Sequence, residues 1–501
     1  MDLGQHQRMV DCLADWLGGA ERIETHISSL LLVDEFVYKL KKPLDLGFLD
    51  FRTLDRRHLA CQDELRLNRR TAPKLYLSVE EVRGTIDDAR FGGAGPILDY
   101  AVKMRRFAEG DRLDHLLSAG RMTGEMVDEL ADSVVHFHDH AARADRPDSP
   151  SEAIEPVLAP MRANFVELRA CADVLGSRER LERLEDWTER SANTLHTHII
   201  ERQARGSVRE CHGDLHLANI ALVDGRVTPF DCIEFDAELR WIDVMSDLAF
   251  LTMDFEDRGA SRWAHRVLDR YMEIGGDLAG LHLVRFYQVY RALVRAKIAA
   301  IRWRQSDADQ EACQREFESY MDLADRMLLV PPARVILMHG VSCSGKSHVS
   351  QQLVEHLGAI RLRSDRERKR LFPGSTDLYD ECKTQATYDH LLRCSEGILR
   401  AGFPVIVDAT FLNADQRQPF AQLAASKSIP MTIVHTQAHP SILHERMARR
   451  ATDKGNISDA TAAVLQNQLD QLAPLHDNEP ILHWDTSEPG RIEDLIAALP
   501  S

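Results

Sequence analysis

The feature that most constrains this chain is the octapeptide GVSCSGKS, Gly340 to Ser347, which fills every fixed position of the pattern G-x-x-x-x-G-K-[ST]. The apolar run RVILMH before it reads as a short buried strand, and HVSQQLVEHL after it reads as a helix. Strand, glycine loop and helix, in that order, give the pattern its mechanism. Gly340 and Gly345 let backbone N–H groups wrap a polyphosphate, Ser342 and Ser344 line the turn, and the helix N-terminus adds positive potential. Lys346 can then reach the β- and γ-phosphates, and Ser347 can ligate Mg2+. An ordinary Gly/Ser turn would need neither the lysine nor the flanking elements. One part of the chain is therefore expected to bind ATP with Mg2+.

At 501 residues the chain is too long for one core, and about 150 residues per domain predicts two to four units. A formal net charge of -17 argues against a general nucleic-acid or anionic-membrane binder, while leaving room for a local basic groove. The 9 cysteines are scattered, with no C-x-x-C pair, so neither a disulfide framework nor a structural zinc site is expected. The first residues lack the basic start and apolar core of a signal peptide, and no apolar run is long enough to cross a bilayer. A cytoplasmic protein with no membrane partner is expected.

A second constellation lies upstream. HGDLHLAN at 212–219 is followed by an apolar run, a turn at Asp224 and Gly225, and a second run ending at Asp231. An aspartate and an asparagine five residues apart on a loop, with a hairpin delivering another aspartate, suit phosphoryl transfer from Mg-ATP. Asp214 would take or orient the acceptor hydroxyl, the amide oxygen of Asn219 would ligate the metal, and Asp231 would bridge metal and phosphates.

HGDLHLAN together with FDCIEFD at 230–236 resembles the catalytic loop and metal aspartate of the aminoglycoside phosphotransferase and choline kinase group, relatives of protein kinases. The resemblance spans Met1 to about Leu328 and implies a bilobal α+β fold, with an N-lobe over about 1–107 and a helical lobe over about 108–328. It implies that Lys39 holds the α- and β-phosphates, that Glu64 is its helix partner, and that Met104 opens the hinge at the adenine. Lys41 and Lys42 compete with Lys39 for that role, and Glu234 or Asp236 could share the metal with Asp231. The first hairpin, around Ser28, Ser29 and Asp34, contains no glycine, so the loop over the phosphates is not of the glycine-rich kind.

Four further stretches carry expectations. FGGAGP at 91–96, flanked by strand-like runs, predicts a hairpin turn rather than a phosphate loop. His136 and His140 are spaced for a metal, but no third ligand accompanies them and a helix face is expected. A helix over 281–304 places Arg291, Arg295 and Arg302 on one face, available to an anionic substrate, the second domain or internal ion pairs. Residues 329–333, with Pro331 and Pro332, predict a linker.

From 334 to 501 strands alternate with helices, which predicts a parallel sheet with its site at the strand C-termini. Those ends carry Asp408, expected in the Mg2+ shell, and Asp365, expected to take the acceptor proton; Arg446 and Arg450, one helical turn apart, would lie over the transferring phosphoryl group. With the P-loop these residues resemble small P-loop kinases, among them gluconate and adenylylsulfate kinases, polynucleotide 5′-hydroxyl kinases and zeta-type toxins.

The pairing of the two halves, with THISSLLLV, YKLKKPLDLGFLDF and VDATF, resembles a bacterial family of bifunctional phosphotransferase/ATP-binding proteins. The expected activity is transfer of the γ-phosphoryl of Mg-ATP to a hydroxyl of a small molecule, at two nucleotide sites. Two alternatives stand beside it. One is a P-loop kinase regulated by a non-catalytic kinase-like sensor domain. The other is a nucleic-acid 5′-hydroxyl kinase, suggested by Arg366, Arg368, Lys369 and Arg370 after Asp365 and ranked below a small acceptor because no aromatic stacking platform is near.

Overall fold

The computed structural model describes the chain apart from residues 48, 146–149, 173–174, 306–308, 376–377, 379, 451–461, 472–474, 477–478, 489 and 501. It divides into two compact units, one formed by Met1–Asn164 and Ile199–Asp254, the other by Phe165–His198 and Phe255–Ser501.

The first unit begins with α1 (Leu3–Trp16), started by a capping box between Asp2 and Gln5. Strands β1 (Glu21–Glu24), β2 (Ser28–Val33), β3 (Phe36–Lys41), β4 (Tyr76–Thr85), β5 (Asp88–Phe91) and β6 (Ile97–Arg105) form an antiparallel sheet in the order β1-β2-β3-β6-β4-β5. Helix α2 (Leu54–Asn68) is capped by Thr53, whose hydroxyl accepts from the Arg56 N–H. The period-2 alternation of β3 decides what each face meets. Leu40 and Tyr38 join Met9, Val10 and Leu13 of α1, while Val37 joins Cys61 of α2 with Tyr76, Val102 and Met104 on the other face.

The stretch FGGAGP links β5 to β6, but these strands are not neighbours, because β4 lies between them. It is therefore a crossing over the end of β4, not a hairpin turn. An added Cβ at Gly95 would lie 3.2 Å from the Gly84 backbone, so two glycines meet where the chain crosses.

The unit continues with α3 (Leu113–Ser118), α4 (Gly124–His140), α5 (Pro150–Ala172), α6 (Arg178–Ala204), β7 (Val208–Glu210), the hairpin β8 (Ile220–Val223) and β9 (Arg226–Pro229), β10 (Trp241–Asp243) and α7 (Val244–Asp257), with α5, α6 and α7 reaching past its boundaries. On α4, His136 and His140 are exposed, whereas His138 is buried beside Asp247.

In the second unit, α8 (Ser261–Gly275), α9 (Leu281–Trp303) and α10 (Gln310–Met327) precede β11 (Val335–His339), α11 (Lys346–Leu357), β12 (Ile360–Arg363), α12 (Ser364–Leu371), α13 (Glu381–Arg400), β13 (Val405–Asp408), α14 (Ala414–Ser426), β14 (Met431–Gln437), α15 (Pro440–Arg450), α16 (Ala462–Gln471) and β15 (Ile481–Asp485). The five strands are parallel, in the order β12-β13-β11-β14-β15. Every residue of β11 is buried, as a strand covered by helices on both faces requires.

The packing division does not follow covalent order. Arg180 of α6 bonds Asp322 and Asp325 of α10, each at 2.6 Å, and Arg266 of α8 meets Glu355 of α11 at 2.7 Å. On α9, Arg291 is buried, Arg295 donates to Tyr320 Oη and Arg302 donates to Glu316 at 2.8 Å, so this stripe serves internal contacts. Among the described residues no helix is long and apolar enough to cross a membrane.

A buried ion pair ties α2 to β6: Arg57 Nε donates to Asp99 Oδ1 at 2.8 Å, with both side chains out of water. Asp99→Ala should therefore cost about 3–5 kcal/mol in urea unfolding by stranding the guanidinium, and an Arg57→Met/Asp99→Leu pair should recover most of that loss.

Candidate active sites

In the first unit two buried carboxylates hold the loop 212–219 by its backbone. Asp247 accepts from the N–H groups of His212 at 2.7 Å and Gly213 at 2.9 Å, and Asp254 accepts from Leu217 at 2.8 Å. Asn219 Nδ2 donates to Asp214 Oδ2 at 2.9 Å and to the Asp214 carbonyl at 3.1 Å, which leaves the amide oxygen as its remaining acceptor. The β8–β9 hairpin returns the chain so that the Phe230 N–H donates to the Asn219 carbonyl at 2.9 Å, bringing Asp231 beside the loop. Asp231 adopts a left-handed φ of 63°, a conformation that costs a non-glycine residue about 1 kcal/mol and concentrates at functional sites. Its N–H is held by Tyr76 Oη at 3.2 Å, and that of Cys232 by Asn68 Oδ1 at 2.8 Å.

Lys39 Nζ lies 2.8 Å from Glu64 Oε1 and 2.6 Å from Asp231 Oδ1. Lys41 is fully buried between Glu64 and Glu234. Lys42 turns to the opposite side, to the Thr25 carbonyl and Glu24. Among the three lysines, Lys39 alone contacts Asp231. Burial by itself would raise the Glu64 carboxyl, but Lys39 and Lys41 outweigh it and hold Glu64 down at about 2. Burial works in the opposite sense on Lys39, where Asp231 and Glu64 outweigh it and hold the ammonium well above its ordinary value. Met104 sits near the end of β6, packed with Val37, Phe107 and Phe230.

In the second unit the P-loop leaves β11 at Gly340, whose φ is 138°, and an added Cβ there would meet the Thr436 carbonyl at 2.4 Å. Lys346 Nζ donates to the carbonyls of Gly340 and Val341, both at 2.9 Å, and so lies within the loop. Ser347 Oγ donates to Asp408 Oδ2 at 2.8 Å, across from the end of β13. Ser344 and Thr436 share a hydroxyl contact of 2.7 Å, and the Ser342 N–H donates to Gln468 of α16 at 2.7 Å. Arg446 on α15 donates to the Cys343 carbonyl at 3.2 Å and to the Thr486 carbonyl at 2.6 Å.

Lys346, Ser347, Asp408, Arg446, Gln468 and Thr486 line a cavity of about 1410 Å3, which Asp365 also lines from the first turn of α12. The N-cap position of α12 belongs to Arg363, so Asp365 is not the cap. The side chain of Arg450 lies outside the described residues. The basic stretch after Asp365 is engaged internally: Arg366 lies 3.7 Å from Glu273, Arg368 lies 3.5 Å from Asp365, and Arg370 pairs with Glu367.

Sequence reading did not reach Asp247, Asp254, Tyr76, Gln468 or Thr486. Their partners are backbone groups or hydroxyls far away in the chain, and no spacing marks them. The role of Lys41 was open to strand parity: Lys39 and Lys41 share one face of β3, and Lys42 falls beyond it.

Comparison with known proteins finds two matched stretches. Residues 48–287 match the model of the phosphotransferase enzyme family, and residues 335–475 match that of an AAA domain. The Mycobacterium tuberculosis protein Rv2004c, itself uncharacterized, is 31% identical over 451 residues, covering 88% of this chain and 88% of its own. The chain belongs to the bacterial family that joins an aminoglycoside-phosphotransferase-like domain to a P-loop kinase domain. As a member of that family it is a nucleotide-binding phosphotransferase, a kinase. Among solved structures, a choline/ethanolamine kinase family protein from Mesorhizobium loti is 13% identical, with 65% of this chain and 99% of that one covered and a TM-score of 0.38. A gluconokinase from Sinorhizobium meliloti is 21% identical, with 34% and 89% covered and a TM-score of 0.24.

The Glu64 carboxyl, at about 2 in the fold against 4.5 when unperturbed, contributes stability that is full above about pH 4.5 and is lost as pH falls toward about 2. Glu64→Gln removes that contribution. It should lower stability at neutral pH by about 3 kcal/mol and flatten the acid limb of the stability curve, as read from urea unfolding at a series of pH values.

Proposed function

We propose that this kinase transfers the γ-phosphoryl of Mg-ATP to a hydroxyl of a small molecule, at both the P-loop and the Asp214 site. The observation that carries the reading is the hydrogen bond from Ser347 to Asp408 at the wall of a cavity that Asp365 also lines. Two hard oxygen donors 2.8 Å apart beside the P-loop lysine fit Mg2+, and Asn219 with Asp231 offers a like set in the first unit. Mg2+ held there would neutralise charge on the β- and γ-phosphate oxygens. Lys346 would turn from the loop carbonyls to the phosphates. Asp365 would take the acceptor proton as its oxygen bonds to the γ-phosphorus and the bond to the ADP oxygen breaks. Arg446, at the lip of the loop, would balance the developing charge. The cavity exceeds the roughly 300–1,000 Å3 of a single small-ligand site, which supports room for nucleotide and acceptor together.

At the other site Asp214 would take the hydroxyl proton, held by Asn219. Lys39, fixed by Glu64 and Asp231, would hold the α- and β-phosphates, with the adenine beside Met104. A small acceptor suits the P-loop site better than a nucleic acid, because Arg366, Arg368 and Arg370 are engaged by acids of the same unit.

One observation favours a second reading, in which the first unit senses nucleotide without turnover. The β2–β3 turn is only Asp34 and Glu35, too short and glycine-poor to fold over phosphates.

Incubating the full chain with ATP and a metabolite library should yield products heavier by about 80 Da, one phosphoryl group. Asp214→Ala and Lys346→Ala should each remove a separate product by on the order of a hundredfold or more. If one substitution removed every product, two independent activities would be ruled out. Product that survives Lys346→Ala and vanishes on adding Asp214→Ala would eliminate the sensor reading.

A further inference from the structure

Helix α8 carries two acids, Asp269 and Glu273, one turn apart and buried to 1% and 2% exposure. Both face β12 of the same unit. Asp269 Oδ1 accepts from the Arg361 N–H at 2.6 Å, and Arg361 Nη2 lies 3.3 Å from Asp269 and 3.6 Å from Glu273. The far side of the same guanidinium donates to the Ser347 carbonyl at 3.2 Å and to Ser350 Oγ at 3.3 Å. Arg363 is two residues on and shares that strand face. It donates to Glu273 Oε1 at 3.1 Å, and its Nε lies 3.8 Å from Asp408 Oδ2, the oxygen that Ser347 also bonds. One guanidinium therefore stands between two carboxylates and leans toward the one on α8.

We propose that Glu273 is a positioning residue for the P-loop site: it holds Arg363 back from Asp408, so that the aspartate stays available to Mg2+. This rests on reading the P-loop as an Mg-ATP site. Without the Glu273 charge, Arg363 keeps Asp408 as its main counter-charge, and in so buried a place the gap between them closes. A guanidinium seated on Asp408 competes with a divalent cation for the same oxygen. Phosphate contacts through Lys346 are untouched. Because α8 lies inside the stretch that matches the phosphotransferase family, the residue that keeps Asp408 open comes from a helix outside the matched AAA domain.

The test is isothermal titration of ATP into the full chain over a range of Mg2+ concentrations, subtracting the Lys346→Ala isotherm so that only the P-loop component is read. Glu273→Gln should raise the Mg2+ concentration for half-maximal binding by roughly tenfold and leave Mg2+-free binding unchanged. Glu273→Asp should give a smaller rise. Adding Arg363→Gln to Glu273→Gln should bring the Mg2+ midpoint back toward wild type, which a merely structural role would not do. An unchanged midpoint in Glu273→Gln, or a double variant no better than the single, overturns the proposal. If Glu273→Gln lacks a cooperative melting transition, Glu273→Asp decides, and an unchanged midpoint there counts against the role. If Lys346→Ala alters no binding, the P-loop reading itself fails and takes this inference with it.

Discussion

Glu64 lies out of water between two ammonium groups, and the architecture of the first unit follows from satisfying all three. A carboxylate buried alone would shift its pKa and lose its charge, and a lysine buried alone would do the same. Lys39 and Lys41 therefore require α2 on their face of β3, and Glu64 requires both lysines. The same helix sends Arg57 to Asp99 on β6, so α2 is bound to the sheet by charge at two places along its length. Beyond this pairing Lys41 meets the buried Glu234, while Lys39 meets Asp231, where chemistry is proposed.

The loop 212–219 is fixed by different means. Asp247 and Asp254 grip backbone N–H groups of the loop, so its shape is set while the half-exposed Asp214 carboxylate meets Asn219 and His216. In the second unit the parallel sheet does the corresponding work. Its strands deliver Gly340, Arg363 and Asp408 to one edge because the C-terminal ends of parallel strands lie together.

Much of this was legible in the chain, for identifiable reasons. The P-loop and the pair Asp214 and Asn219 are local patterns with fixed spacing, and the β8–β9 hairpin announces itself through Asp224 and Gly225. The crossing at residues 91–96 was not legible, since composition says that the chain turns but not which strands become neighbours. The basic stretch after Asp365 looked like an open patch because Glu273 is about 90 residues away in sequence. On β12 the alternation of Arg361, Leu362 and Arg363 places two cations on one face of a buried strand, which demands acids from elsewhere without saying where. On α8, Asp269 and Glu273 are spaced like any solvent-facing pair.

The cluster between α8 and β12 bears on how such a chain can be cut and rejoined. Pro331 and Pro332 lie between α10 and β11, and charges on either side of them in the sequence are matched to one another. A P-loop segment transplanted without α8 would lose the carboxylates of Asp269 and Glu273 that receive Arg361 and Arg363, leaving Arg363 only acids of its own segment such as Asp408. A cut at the prolines therefore separates charges that the fold pairs.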